Sequence, residues 1–365
     1  MNRVLCMCLS GLGDAILFSP TISELKKAHP CLAIDVLVMF RAVESIYAAD
    51  PAVSQVHYVD FLNQSAPRSL LAIWAIRRQG YDAVIAAYPS NRAEYSLVQI
   101  MLGGRRIGHR YIHLDRVNLN FLRQDTVRED QRHVVEQNLA LLSFLGVPPS
   151  PVPVPMQLHL ASSDLEAARR WIDSTVVPGR PLFGFHAGSA LLKNHIHKRW
   201  AADRFGSLAR RLVEQYDAHV AVFGGPEEDE LKRSICASSG RFDRVHSVEK
   251  FPFMRSAALL KMCQMMVSND SGLMHVAAAV GTPTVAILAY TNANWVHPWC
   301  VPHRVVRKDL PCSPCFYHSP RPAQCRAGLN YICNDIGVDV VFDAVAELMR
   351  ELAGQANPVF FNTDS

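Results

Sequence analysis

The stretch VLCMCLSGLGDAILFSPTISELKKA, residues 4–28, decides the fold. Val4 to Leu9 is an unbroken apolar run of strand length, Ser10-Gly11-Leu12-Gly13 interrupts it, and Ile16, Leu17, Ile22 and Leu25 then recur at helical spacing. Strand, glycine turn and helix make the opening half of a βαβ unit. Working outward, the alternation repeats, with strands expected over 34–39, 55–59 and 83–87 and helices over 42–49 and 70–78. Apolar strands alternating with helices predict a parallel sheet covered on both faces.

After a helical stretch ending near Leu145 comes GVPPSPVPVP, residues 146–155, whose prolines can continue neither a helix nor a central strand, so a domain linker is expected there. The alternation then restarts: strands over 182–186, 219–223, 265–268 and 284–288, helices over 204–214, 228–237 and 272–280, and a last helix over 338–352. The expected fold is α/β, two Rossmann-like doubly wound domains, with residues 1–150 as the N-terminal domain, 156–340 as the C-terminal one and 341–365 as a final helix and tail. Two such domains are expected to face an interdomain cleft that holds the active site.

Composition agrees with two cores. The 365 residues are 49% hydrophobic and 19% charged, which disfavours a disordered chain. Lys and Arg number 37 against 33 Asp and Glu, a net +4, too little to imply nucleic acid and enough only for a weak preference for anionic ligands. The best apolar run, 275–290, is short of the ~20 residues that span a bilayer and is interrupted by Gly281, Thr282 and Pro283. The apolar N-terminus is broken by Gly11, Gly13 and Asp14 where a signal peptide would continue, so it reads as a cytoplasmic start, and the ten cysteines are expected to be reduced.

Four loops can carry chemistry. In the first, Ser10, Gly11 and Gly13 precede Asp14, a carboxylate at the start of a helix, where the dipole favours negative charge. Ile16 stands where a dinucleotide fingerprint needs Gly or Ala, and no ribose-binding acid follows the second strand, so a nicotinamide cofactor is not expected. Asp14 is then either a helix cap or a working carboxylate. In the second loop, Ala187-Gly188-Ser189-Ala190 leads into Lys193, His195, His197, Lys198 and Arg199, small residues followed by cations that suit phosphate oxygens, with Lys198 best placed to reach inward. The third, Gly224-Gly225-Pro226-Glu227, is either a bland turn or a close approach with Glu227 accepting from ribose hydroxyls. In the fourth, Asp270, Ser271 and Gly272 open an alanine-rich helix whose N-terminus suits an anion, and His275 lies one turn in, as a ligand contact or as a structural histidine.

Taken together, SGLGD near the N-terminus, a strand followed by AGS and then KRW, GGPEE after a strand, and NDSGLMH followed by AAAVGTPTVA resemble the ADP-heptose:lipopolysaccharide heptosyltransferases, glycosyltransferase family 9. The resemblance runs from Val4 to about Leu348, is carried most specifically by NDSGLMH, and is least informative from about Phe61 to Pro155. It implies the GT-B architecture, with an acceptor-binding N-terminal domain and a sugar-nucleotide-binding C-terminal domain. It also implies inverting transfer of a heptose from ADP-heptose to a lipopolysaccharide inner-core acceptor. By the same resemblance Asp14 is the catalytic base, with Ser10, Gly11 and Gly13 in the loop near the acceptor, and Ser189, Lys198, Glu227, Asp270, Ser271, Gly272 and His275 bind the donor. No cofactor is expected for catalysis, because Lys198 and the helix opening at Ser271 can offset the charge of the departing ADP. Two other readings stay open, a GT-B enzyme using another nucleotide sugar or a protein acceptor, and a catalytically degenerate sugar-nucleotide-binding scaffold.

Cys312 and Cys315 form a CxxC turn, and Cys325 and Cys333 follow within the same loop, a set that admits a structural zinc or iron ion or else a group of reduced thiols. Arg105, Arg106, Arg110, Arg116 and Arg123 are interspersed with Asp115, Asp125, Glu129 and Asp130, which reads as a solvated mixed surface. At most a peripheral visit to the inner leaflet is expected.

Overall fold

The structure, a computed structural model, describes residues 1–111, 116–128, 130–189, 192–249, 251–316, 323–325 and 327–355. Asp115 and Glu129 of the mixed-charge stretch and Ala190 of the second loop lie outside them, as does the side chain of Lys193.

Twelve strands are described: β1 (Arg3–Cys8), β2 (Ala33–Val38), β3 (Gln55–Tyr58), β4 (Ala83–Ala86), β5 (Arg105–Arg110), β6 (Asp125–Arg128), β7 (Leu182–His186), β8 (His219–Val222), β9 (Val245–Ser247), β10 (Met265–Asn269), β11 (Thr284–Ile287) and β12 (His303–Val306). They form two six-stranded sheets, β3-β2-β1-β4-β5-β6 and β12-β11-β10-β7-β8-β9, with parallel pairings throughout. Counted from its own first strand, the second sheet repeats the order of the first. In each, the chain runs outward from the first strand, then returns to its other side, so that the loops after β1 and β4, and after β7 and β10, part at a switch point.

The central strands form because their apolar runs are buried on both faces, with Val4, Leu5, Cys6, Phe183 and Phe185 fully covered. In the first unit Leu5, Met7, Leu37 and Val84 pack against Ile73 and Ile76 of the Ala66–Arg77 helix. In the second, Phe183, Phe185, Val220 and Val267 pack with Trp200, Phe205 and Leu208, and with Val341, Val345 and Leu348 of the Val338–Gln355 helix. That last helix is therefore part of the second unit's core. The first unit comprises Met1–Leu165 together with Asn294–Cys300. The proline-rich stretch is not a free tether, since Val154 and Met156 are buried and Trp299 Nε1 donates to the Val154 carbonyl at 2.8 Å.

β5, β6, β9 and β12 were not anticipated from the sequence. Of β5, RRIGHR, only Ile107, Gly108 and His109 are buried. Arg105 pairs with Asp125 across the two strands, which accounts for part of the mixed-charge surface. Arg123 departs from that expectation. It is buried, donating from Nη1 to the His109 carbonyl, from Nη2 to Ser90 O and Oγ, and from Nε to Gln99 Oε1. The guanidinium fork thus ties the loop after β4 to β5. Arg123→Ala strips donors from several buried acceptors and is expected to cost about 2–4 kcal/mol in urea unfolding. Arg123→Lys, with a single ammonium in place of a planar fork, should recover less than half of that loss.

Candidate active site

In the first unit the helix Leu12–Ala28 follows β1 directly, capped at Gly11 without a side-chain bond. Asp14 is therefore not the cap but stands inside the first turn, partly exposed, where the helix N-terminus favours its charge. Its neighbours are marked by its charge. Burial pushes the Cys8 thiol up to about 12, the Tyr47 hydrogen bond works against this, and Asp14 adds to it. Burial likewise raises Tyr95, with Arg92 lowering it and Asp14 raising it. Tyr95 Oη donates to the Leu9 carbonyl at 3.1 Å and Ser10 Oγ donates to the Pro89 carbonyl at 3.0 Å, so the loops after β1 and β4 are stitched together at the switch point. A Cβ at Gly11 would meet nothing within 4 Å, so open space adjoins this turn.

In the second unit two polar chains meet at the ends of β7 and β10. The first is an ion pair: Lys198 Nζ donates to Asp270 Oδ2 at 2.6 Å, both residues are 8% exposed, and Thr291 Oγ1 donates to the same oxygen at 2.6 Å. Burial alone would raise the Asp270 pKa. Lys198 and the Thr291 hydroxyl, with a smaller share from His275, reverse that and hold it at about 2. The Lys198 ammonium also lies over the rings of Phe316, at 5.0 Å, and Tyr290, at 5.7 Å.

The second chain begins at His186, the last residue of β7. Its Nε2 lies 3.1 Å from Glu228 Oε2 and its Nδ1 2.8 Å from Ser271 Oγ. Burial works to raise Glu228, but the His186 hydrogen bond and charge, the Gly225 N–H and Arg199 outweigh it and lower its pKa. An ionised carboxylate only accepts, so the His186 Nε2 N–H donates to Glu228 Oε2. Arg199 spans the loops, donating from Nη2 to Ser189 O at 2.7 Å and to Glu228 Oε1 at 3.4 Å. Ser189 Oγ closes its own turn by donating to the His195 carbonyl. A Cβ on Gly188 would come within 1.7 Å of Glu228 Oε1, so this position admits only glycine while Glu228 keeps its place.

Ser271 caps the eight-residue helix Gly272–Ala279 without a side-chain cap bond, leaving that helix end to backbone N–H groups, and His275 is buried one turn in. The structure thus brings Ser189, Lys198, Asp270, Ser271, Gly272 and His275 together at one sheet end. Glu227 is placed differently: it is exposed, its carboxylate folded over Gly225, while the adjacent Glu228 points inward. The sequence reading missed Glu228, His186 and Thr291. A Glu-Glu pair in a turn does not reveal which member turns inward, and a histidine closing an apolar strand carries no distinguishing spacing.

The four-thiol ligand set is not assembled. Among the described residues no three His, Cys, Asp or Glu side chains are grouped to hold a metal ion, those of Cys312, Cys315, Cys325 and Cys333 included. Backbone N–H groups, that of Tyr331 foremost, lower the Cys325 thiol, whereas burial and then the neighbouring Cys315 raise Cys333.

Two parallel-sheet units of Rossmann type, one presenting a carboxylate in a helix turn and the other a cation beside a helix N-terminus, define a GT-B-like α/β protein. The family model described as glycosyltransferase family 9 (heptosyltransferase) matches residues 72–324, and the chain belongs to that family. Lipopolysaccharide heptosyltransferase 2 of Salmonella typhimurium is 27% identical over 224 residues, 60% of this chain and 62% of that protein. Lipopolysaccharide heptosyltransferase 3 of Escherichia coli is 26% identical over 298 residues, 79% of this chain and 83% of the relative. The chain therefore spans about three fifths of the length of the first of these relatives. The solved E. coli ADP-heptose lps heptosyltransferase II shares the fold at a TM-score of 0.72 and 21% identity, covering 96% of this chain and 99% of that one.

Asp270→Asn leaves the buried Lys198 ammonium without its anion and is expected to cost about 3 kcal/mol of stability. Because the Asp270 pKa is held at about 2 in the fold against an ordinary 3.8, its stabilisation is full above pH 3.8 and is lost as pH falls through about 2. Urea unfolding between pH 5 and pH 2 should show a shallower acid decline in the Asn variant than in wild type.

Proposed function

We propose that the chain is an inverting glycosyltransferase that moves a heptose from ADP-heptose to a lipopolysaccharide inner-core acceptor. Membership of family 9 supports the chemistry, and the observation that carries the assignment of roles is the division of labour between the units. The first offers an ionisable carboxylate in the first turn of a helix, and the second the buried Lys198 beside a helix N-terminus.

Direct displacement with inversion needs a base beside the acceptor hydroxyl, on the face away from the leaving group. Asp14 takes that role, with the turn through Ser10, Gly11 and Gly13 leaving room for the acceptor. Charge develops on the departing diphosphate, which Lys198 and the N–H groups after Ser271 stabilise. Asp270 holds Lys198 extended through one of its three donors and leaves the other two for phosphate oxygens. Arg199, fixed by Glu228 and Ser189, keeps the small-residue turn at Gly188 in place. Glu227, exposed at its turn, remains free to accept from the ribose hydroxyls of the nucleotide. Asp14 belongs to the first unit and Lys198 to the second. Protein-bound cations supply the charge a divalent metal supplies elsewhere, so this mechanism takes no step through a metal.

Asp14→Asn should preserve ADP-sugar binding by calorimetry while lowering transfer by about 10²–10⁴-fold in a radiolabelled-sugar assay. A variant with unchanged transfer removes the base from Asp14, and a wild type that binds donor but never transfers points to a scaffold. Transfer should continue in excess EDTA. A strict requirement for added magnesium would contradict the role given to Lys198.

A further inference from the structure

The Ala66–Arg77 helix has apolar residues on both faces. Ile73 and Ile76 enter the core, as described, yet Leu71 is 67% exposed, Trp74 57% and Leu70 49%. The turn before it adds exposed Leu62. A helix with large apolar residues on its outer face as well as its inner one fits against an apolar surface, and this one has solvent on its outer face.

Its charges say which surface. From Ala66 to Arg78 the segment holds Arg68, Arg77 and Arg78, all exposed, and no acidic residue. The Arg78 guanidinium lies 4.9 Å over the Trp74 ring, which brings a cation and an amphipathic indole to the same spot. Trp and Leu inserted at headgroup depth, with arginines reaching anionic phosphates beside them, is the chemistry of an interfacial helix. A second copy of this chain fits the face poorly, because a two-fold contact sets arginine against arginine.

We propose that the Ala66–Arg77 helix docks the protein on a bilayer surface that carries anionic lipid. The inference rests on the proposed function only for the docking's purpose, access to a lipid-linked acceptor. It refines the expectation of a peripheral contact by moving it from the Arg105–Arg123 stretch, where Arg105 is paired with Asp125 and Arg123 is buried.

The test is cosedimentation of the full chain with vesicles of phosphatidylcholine alone and of phosphatidylcholine mixed with phosphatidylglycerol, both free of acceptor. Wild type should bind the mixed vesicles, and Leu71→Gln/Trp74→Gln should weaken that binding by at least about tenfold. Arg68→Gln/Arg78→Gln, which leaves the apolar face intact, should remove the preference for the anionic vesicles. All three proteins should show the same circular dichroism and the same transfer to a delipidated acceptor. Absence of wild-type binding, or equal binding by the Leu71/Trp74 variant, overturns the proposal. So does a wild-type dimer in light scattering that this variant converts to monomer, which assigns the face to a second copy. Loss of transfer to the delipidated acceptor in wild type, with vesicle binding intact, would fail the proposed reaction and leave the docking standing.

Discussion

The second unit turns on one buried ion pair. Lys198 comes from the stretch that follows β7 and Asp270 from the end of β10, and each is buried where an unpartnered charge would be costly. Their contact at 2.6 Å fixes the basic loop over the sheet end, and Asn269 reinforces it by accepting from the Trp200 N–H and donating to the Ala187 carbonyl. Trp200 in turn donates from Nε1 to the Ile336 carbonyl, which ties the loop to the approach of the last helix. A cation is thereby held in a low-dielectric setting at the sheet end that also carries the Gly272–Ala279 helix N-terminus.

The same strand order carries different loop residues in the two units. At the first switch point the residues joining the loops after β1 and β4 are a serine and a tyrosine bonded to carbonyls, which set a turn without spending a charge, and Asp14 is left at a helix start. At the second, charge is placed and compensated within the protein: Asp270 against Lys198, Glu228 against His186 and Arg199. Fold order alone assigns neither role. The difference lies in which residues occupy the loops.

Much of this was legible in the sequence, and the failures have physical causes. The central strands declared themselves because strands buried on both faces must be continuously apolar. β5 and β6 hid because neither presents such a run: RRIGHR buries three residues, and DTVR none fully. Lys198 was visible as a cation immediately before a helix. Arg123 looked like surface charge because its acceptors, Ser90, Gln99 and the His109 carbonyl, are scattered in sequence. The proline-rich segment carries no helix or strand and its prolines are exposed, yet its Val147 and Val154 are buried in the first unit. The cysteine spacing admitted a metal that the described side chains do not gather to hold.

The most direct measurement is the anomeric configuration of the product. The chain would be incubated with ADP-β-heptose and a lipopolysaccharide inner-core acceptor, and the new linkage read from its one-bond carbon–proton coupling by NMR. A single displacement assisted by Asp14 predicts an α-linked heptose released in step with ADP. A β-linked product, or ADP formed with free heptose and no new linkage, would contradict the account.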